Sequence, residues 1–361
     1  MNENEKQILS QDKIFGCNQD GINLHRGQIT YQYLNFVEEN TNIKFMGIFE
    51  GHGTIGKETS LYVNNLITKL ISENKKELKI WSNQENSKEL ISKFFLNEFK
   101  KIQSQMNESP NSNFELSGAC VISALIIDKK CYIINLGNCR VVLGGKSKNE
   151  IFSFQMSTAH IPDSLEEMER IKKCGGEVKN TGVITRIYKL NDLLPGLAVS
   201  RALGDCYGHD CGISEEPQIN FKILDKNDEF IILGSKSIWD VMNSDEIVEF
   251  IYEKISNKIN KEKIAEEIIE ECKKRWIIIN KGKDIEAFEK IQNDPNIDNN
   301  EKNNKLKQFV DSIENSCKLD PNYQNKEKKN NSSSYLNINP EEIFTGKHHI
   351  DNISCIICFF Y

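Results

Sequence analysis

One strand, two helices and then a hairpin, in that order, leave few folds open to this chain. Residues 44–49 form an apolar strand that stops at Glu50-Gly51-His52-Gly53. Val63, Leu66, Ile67, Leu70 and Ile71 then recur at the helical period, as do Ile91, Phe95, Phe99 and Ile102. Residues 119–127 and 131–136 follow as apolar runs joined by Asp128-Lys129-Lys130, which reads as a β-hairpin. A doubly wound parallel sheet alternates single strands with single crossover helices. Paired helices between a strand and a hairpin point instead to two antiparallel β-sheets packed face to face with helices outside.

The rest of the chain fits this layering. A fourth strand is predicted over 140–143, stopping at Gly144-Gly145. Asp163 with Glu166 predicts a capping box for a short helix through Lys173, closed by Gly175-Gly176. Ile247, Ile251 and Ile255 mark a helix starting near Ser244. Ile264, Ile268, Ile269 and Cys272 mark the next, ending near Trp276. The stretch 280–347 is rich in Asn, Lys, Asp and Ser. Leu306, Phe309, Val310 and Ile313 are spaced for one short helix there, and the remainder reads as a flexible insertion. Residues 353–360 are too apolar for a solvated tail and are expected to return to a sheet. The expected organisation is a tail over 1–14 and one domain over 15–361 that carries the 280–347 insertion.

A net charge of -7 speaks against a nucleic-acid partner, whose footprint is a basic surface. No apolar run approaches the roughly 20 residues of a membrane span. Residues 1–13 are polar with no signal core, so the expected location is cytoplasmic. The 11 cysteines are an odd, scattered set that suits a reducing compartment. Cys355 and Cys358 fall on opposite faces of their strand and read as buried structural cysteines. Gly51-His52-Gly53-Thr54-Ile55-Gly56 matches the dinucleotide-binding fingerprint letter by letter. That site needs a second parallel strand after its helix, ending in an acid; here a second helix follows, and Glu73 lies in helical sequence.

Several segments, in order, resemble the metal-dependent Ser/Thr protein phosphatases, the PPM or type-2C family. They are Asn18-Gln19-Asp20, Phe49-Glu50-Gly51-His52-Gly53, Ser117-Gly118-Ala119, Leu136-Gly137-Asn138-Cys139-Arg140, the 195–205 block Pro-Gly-Leu-Ala-Val-Ser-Arg-Ala-Leu-Gly-Asp, and Asp351-Asn352-Ile353-Ser354. The resemblance implies a four-layer α-β-β-α sandwich, an α+β fold. It also implies a family chemistry in which two Mn or Mg ions activate a water that attacks phosphorus.

Position by position, the resemblance implies a degenerate site. Glu50 stands for the bridging aspartate, Gly51 for the backbone ligand, and Asp20 and Asp351 for further metal carboxylates. His52 is kept as a relic or weak general acid. Gln19 and Asn138 are neutral where the family has acids, and the phosphate-orienting arginine falls on Phe15. The family's Ser-Asp-Gly-Leu-Trp-Asp reads Ser235-Lys236-Ser237-Ile238-Trp239-Asp240 here. A protonated lysine has no lone pair with which to hold a metal. Carboxylates of about -3 with a lysine of about +1 give little reason to hold two divalent ions. Lys236 is therefore expected to replace the second metal and pair with Glu50 or Asp351. Arg201 and Asp205 are expected to be structural, Trp239 to pack in the core and Asp240 to act as a local cap. The expected function is a pseudophosphatase that acts as a binding or structural subunit with protein partners in a larger assembly. It would hold no cofactor, or one Mg or Mn weakly. The alternative is a weakly active Mn/Mg-dependent phosphatase. The sequence carries no cellular address, and a cytoskeletal or ciliary assembly stays open.

Overall fold

All ten residues of 118–127 are buried, which only a strand covered on both faces can achieve. The computed structural model describes residues 14–19, 28–38, 41–109, 114–182, 184–317 and 352–360. Along the chain the elements begin with β1 (Ile14–Gln19), β2 (Ile29–Glu38) and β3 (Thr41–His52). Three helices follow, α1 (Gly56–Glu73), α2 (Lys75–Ser82) and α3 (Ser87–Asn107). Next come β4 (Gly118–Ile127), β5 (Lys130–Leu136), β6 (Arg140–Ser147), β7 (Glu150–Gln155) and α4 (Leu165–Lys173). Strands β8 (Gly176–Asn180), β9 (Thr185–Lys189), β10 (Pro195–Leu197), β11 (Leu203–Gly204), β12 (Gln218–Ile223) and β13 (Asp228–Gly234) continue the chain. It then runs through α5 (Lys236–Trp239), α6 (Ser244–Ser256), α7 (Lys261–Gln292), α8 (Asn299–Cys317) and β14 (Ile353–Phe359).

One sheet has the order β12-β5-β4-β3-β2, with β11 on β4; the other runs β1-β14-β13-β6-β7. A small sheet, β10-β9-β8, stands apart. All the paired strands are antiparallel. Strand alternation sorts the core into layers. On β3, Met46 and Ile48 face the other sheet, while Ile43, Phe45 and Phe49 face α1, α2 and α3. On β14, Ile356 and Cys358 point between the sheets, while Cys355 and Ile357 point to α6 and α7. The two cysteines do lie on opposite faces. The result is the four-layer α-β-β-α sandwich. No described helix is long and apolar enough to cross a membrane.

Several local expectations differ from the structure. β6 does not stop at Gly144-Gly145. An added Cβ at Gly144 would lie 2.3 Å from the Phe230 ring, and one at Gly145 would lie 2.1 Å from Asn227 O. These glycines admit close neighbours rather than end the strand. A third helix, α2, lies between the two expected ones, anchored by buried Leu78. The N-cap of α4 is Ser164, without a side-chain cap bond; Asp163 instead accepts from Thr185 Oγ1 at 3.4 Å. α7 runs past Trp276 to Gln292 and α8 packs on its distal half around Phe288, Leu306 and Val310, so the first part of 280–347 is a helical arm with its own small core. Residues 318–347 lie outside the described residues.

Candidate active site

The family-like segments converge on one end of the sandwich. β3 ends there with Glu50, Gly51 and His52, whose register partners on β4 are Cys120, Ala119 and Gly118. β5 delivers Gly137, Asn138 and Cys139 beside them, because Val121 of β4 pairs with Leu136. β13 ends at Gly234, paired with both Arg140 and Cys355, so α5 starts at the same end. Gln19 of β1 pairs with Ile353 there too.

Glu50 Oε2 accepts two hydrogen bonds, from Cys139 Sγ at 3.0 Å and from the backbone N–H of Lys236 at 3.2 Å. Burial, then the negative charge of Glu50, pushes the Cys139 thiol well above its ordinary range. It therefore stays protonated and donates. Cys120 Sγ points to Asn138 Oδ1 at 4.0 Å.

The Lys236 ammonium pairs with Asp240, one helical turn on, and its side chain is 39% exposed. Of the two expected partners, Glu50 is replaced by Asp240, and Asp351 lies outside the described residues; an i,i+4 partner is within reach without burying the charge. Asp240 is thus the partner of Lys236 as well as the residue that closes α5. Ser237 is buried, and its hydroxyl donates to Asn352 O. Ser235 and Ser354 exchange two bonds at 3.0 Å, and Trp239 Nε1 donates to Gly234 O at 2.9 Å. Together these bonds tie the turn to the start of β14.

His52 Nε2 lies 2.6 Å from Asp205 Oδ2. Burial works against the charged ring, but the charge and hydrogen bond of Asp205 outweigh it and lift His52 well above the usual histidine range. Asp205 was expected to be structural, and the contact shows that it also holds His52. Gly118 makes room for the pair, since a Cβ there would lie 2.2 Å from Asp205 Oδ2 and 2.7 Å from His52 Nε2. Ser117 Oγ accepts from Ile55 N–H at 3.2 Å and fixes the loop after His52. The 195–205 block also has a structural part: Arg201 donates to buried Glu167 at 3.0 and 3.1 Å, and Arg170 joins at 2.8 Å.

Phe15 does not face the site. Ile14 and Phe15 point to opposite faces of β1, and Phe15 packs outward against Phe359, ring centroids 6.1 Å apart, in the core under α6 and α7. Gln19 is placed by its backbone alone. Asp20 and Asp351 lie outside the described residues.

Among the described residues, which do not include Asp20 and Asp351, the donors around Glu50 fit a pair of divalent ions poorly. Among the described residues no three His, Cys, Asp or Glu side chains are grouped to hold a metal. Glu50 Oε2 already accepts from a thiol and an amide, and a cation stands at the position of the family's second carboxylate. A hard ion that prefers about six oxygens meets sulfur, amide and ammonium donors here.

Two antiparallel sheets between helical layers, with an acid-Gly-His corner at one end, define the metal-dependent Ser/Thr phosphatase class of fold. The family model for protein phosphatase 2C matches residues 18–277, and the chain belongs to that family. It is 31% identical over 246 residues to the probable protein phosphatase 2C 72 of Arabidopsis thaliana, covering 66% of this chain and 73% of that protein. It is 26% identical over 265 residues to the probable protein phosphatase 2C 35 of the same plant, covering 68% and 72%. Across five such relatives the chain spans from 56% to 73% of the other protein's length. The solved serine-threonine phosphatase 2C of Toxoplasma gondii shares the fold at a TM-score of 0.58 and 15% identity, covering 96% of this chain and 99% of that one.

Proposed function

We propose that this chain is a catalytically silent protein phosphatase 2C domain that works in the cytoplasm as a binding or structural subunit of a protein assembly. The observation that carries the reading is the turn after β13. Lys236 replaces the family's carboxylate, pairs with Asp240, and points its N–H at Glu50, whose same oxygen takes the Cys139 thiol. A pocket arranged this way is self-satisfied by protein donors.

A second reading, a weak Mn- or Mg-dependent Ser/Thr phosphatase, is favoured by the His52–Asp205 pair. A histidine whose protonated form is favoured by Asp205, next to the site, can give a proton to a leaving oxygen.

The test is phosphate release from an aryl phosphate and a phosphopeptide, with and without millimolar Mn, alongside Mn calorimetry. The Lys236→Asp/Glu50→Asp double variant runs in parallel. The silent reading expects no turnover from the native, folded protein, and tighter Mn binding in the variant. Mn-dependent turnover by the native chain would establish the second reading.

A further inference from the structure

Cys17 of β1 and Cys355 of β14 are direct partners in the antiparallel register. Among the described residues they are the one pair of cysteines that two strands bring opposite each other. Both side chains point to the same face of the sheet, toward α6 and α7. Cys355 is buried there, and Cys17 packs half-buried at the margin of the same core. Antiparallel partners hold their Cα atoms about 4.5 or 5.5 Å apart. Disulfides span Cα separations of roughly 4.4–6.8 Å, so the backbone can stay in place while these two join. Cys355 Sγ lies 3.5 Å from Ala265 O, a weak thiol contact that can be exchanged for a covalent one.

The place of the pair in the fold gives the bond a use. β1 is the edge strand of its sheet, and among the described residues β14 is the one strand it pairs with. β14 is held on both sides, by β1 and by β13. A terminal strand with one neighbour opens more readily than a central strand. Cys17 stands three residues before Asp20, and Cys355 four residues after Asp351. The pair therefore lies on the two strands that border both of the acids implied as metal carboxylates.

We infer that Cys17 and Cys355 form a reversible disulfide when their surroundings turn oxidising, fastening β1 to β14. With oxidised glutathione as the oxidant, the Cys17 sulfur attacks one glutathione sulfur. The other leaves as a thiol that takes up the Cys17 proton. The Cys355 sulfur then displaces the second glutathione, which leaves with the Cys355 proton. Two protein thiols are oxidised, and one glutathione disulfide is reduced to two thiols. Cys17 reacts first because it is the more exposed of the two. Burial, then the charge of Glu266, raises the Cys17 thiol, so exchange is slow near neutral pH and the pair answers sustained oxidation rather than a brief pulse. Cβ atoms of strand partners lie about 4.5–5.5 Å apart, wider than the ~3.8 Å of a relaxed disulfide, and such strain makes the bond easier to reduce again. The bond forms independently of what the neighbouring site catalyses.

The experiment incubates the folded full chain in glutathione buffers stepped from reducing to oxidising. Remaining thiols are blocked with iodoacetamide, and unreduced peptides are mapped by mass spectrometry. A linkage of Cys17 to Cys355 is expected, and excess reduced glutathione should undo it. Hydrogen exchange of β1 should slow by about tenfold or more in the linked form. Cys17→Ser should abolish the linkage and the slowing together, while Cys174→Ser, at an exposed thiol elsewhere, should leave both in place. Melting curves in reducing buffer check that both variants fold. Cys17 left as a thiol or stopped at the glutathione adduct, Cys355 joined to Cys272 instead, a linkage that appears only in denaturant, or one that leaves β1 exchange unchanged would each overturn the inference.

Discussion

Asp205 Oδ2 stands 2.6 Å from His52 Nε2, across 153 positions of sequence. The pair has a defined pH signature. Its folded histidine is raised above the ordinary value, so the pair stabilises the fold below about pH 6.5 and loses that effect as pH rises through the folded value. Asp205→Asn should bring the His52 titration back toward or below the ordinary range, followed by the ring proton shifts. The stability difference from the native chain should be largest near about pH 6 and shrink in alkali. An unshifted titration would contradict the pairing.

Gly118→Ala tests the same corner by crowding. The new methyl would meet Asp205 Oδ2 at 2.2 Å and His52 Nε2 at 2.7 Å, and the backbone of a paired strand cannot retreat. A loss of about 1–3 kcal/mol in denaturant unfolding is expected, as for other overpacked sites. A lowered His52 titration should accompany it.

Glu167 is 3% exposed and accepts from Arg201, Arg170 and Ser200. Burial would raise its pKa, but these three partners bring it down to about 2. A depressed carboxylate stabilises the fold above its unfolded value, near about pH 4.3, and that stability is lost as pH falls toward 2. Glu167→Gln should cost about 1–3 kcal/mol near neutrality, because it leaves the half-buried Arg170 and Arg201 guanidiniums facing a neutral group. Equilibrium unfolding should show the gap closing in strong acid.

His160 predicts an earlier acid loss. It is buried, its Nδ1 accepts from Gly137 N–H at 3.1 Å, and burial followed by the nearby Arg201 charge lowers it to about 3. The unfolded chain takes up a proton near about pH 6.5 that the folded chain refuses, so stability falls from there downward. His160→Gln should flatten the stability profile between about pH 6.5 and 4.5. A profile unchanged by the substitution would mean that His160 is not held neutral.

The helical arm should unfold by itself. Phe288, Leu306 and Val310 form a core separate from those of the sandwich. Phe288→Ala should cost about 3–5 kcal/mol locally. Hydrogen exchange should then quicken over 285–317 while β4 and β5 keep their protection. Equal quickening in the sheets would show a single cooperative unit.

The layers were legible because strand and helix periodicities mark buried faces directly, as in β4, α1 and α3. The candidate corner was legible through its motifs. What failed had a physical reason in each case. Gly144 and Gly145 looked like a strand end, since a sequence does not show that Phe230 and Asn227 press against them. β1 is short and was not marked by period, so the outward direction of Phe15 was hidden until Ile14 was seen to face inward. Asp205 and Lys236 found partners that motif comparison does not supply: one lies 153 positions away, and the other is four residues on but was read only as a cap. Leu306, Phe309, Val310 and Ile313 were recognised as helical, yet the polar surface of the arm concealed its length.

β14 lies between β1 and β13, pairing Ile14 with Cys358 on one side and Leu233 with Ile356 on the other. The sheet built from β2 to β5 and β12 is complete once the ribosome has passed Ile223. The other sheet stays split, with β1 waiting beside an empty lane, until residues 353–359 emerge. A nascent chain of this protein therefore carries one finished half and one open seam while the roughly 130 residues between Ile223 and Ile353 are made, and until then the edges of β1 and β13 that β14 will cover stay unpaired with it.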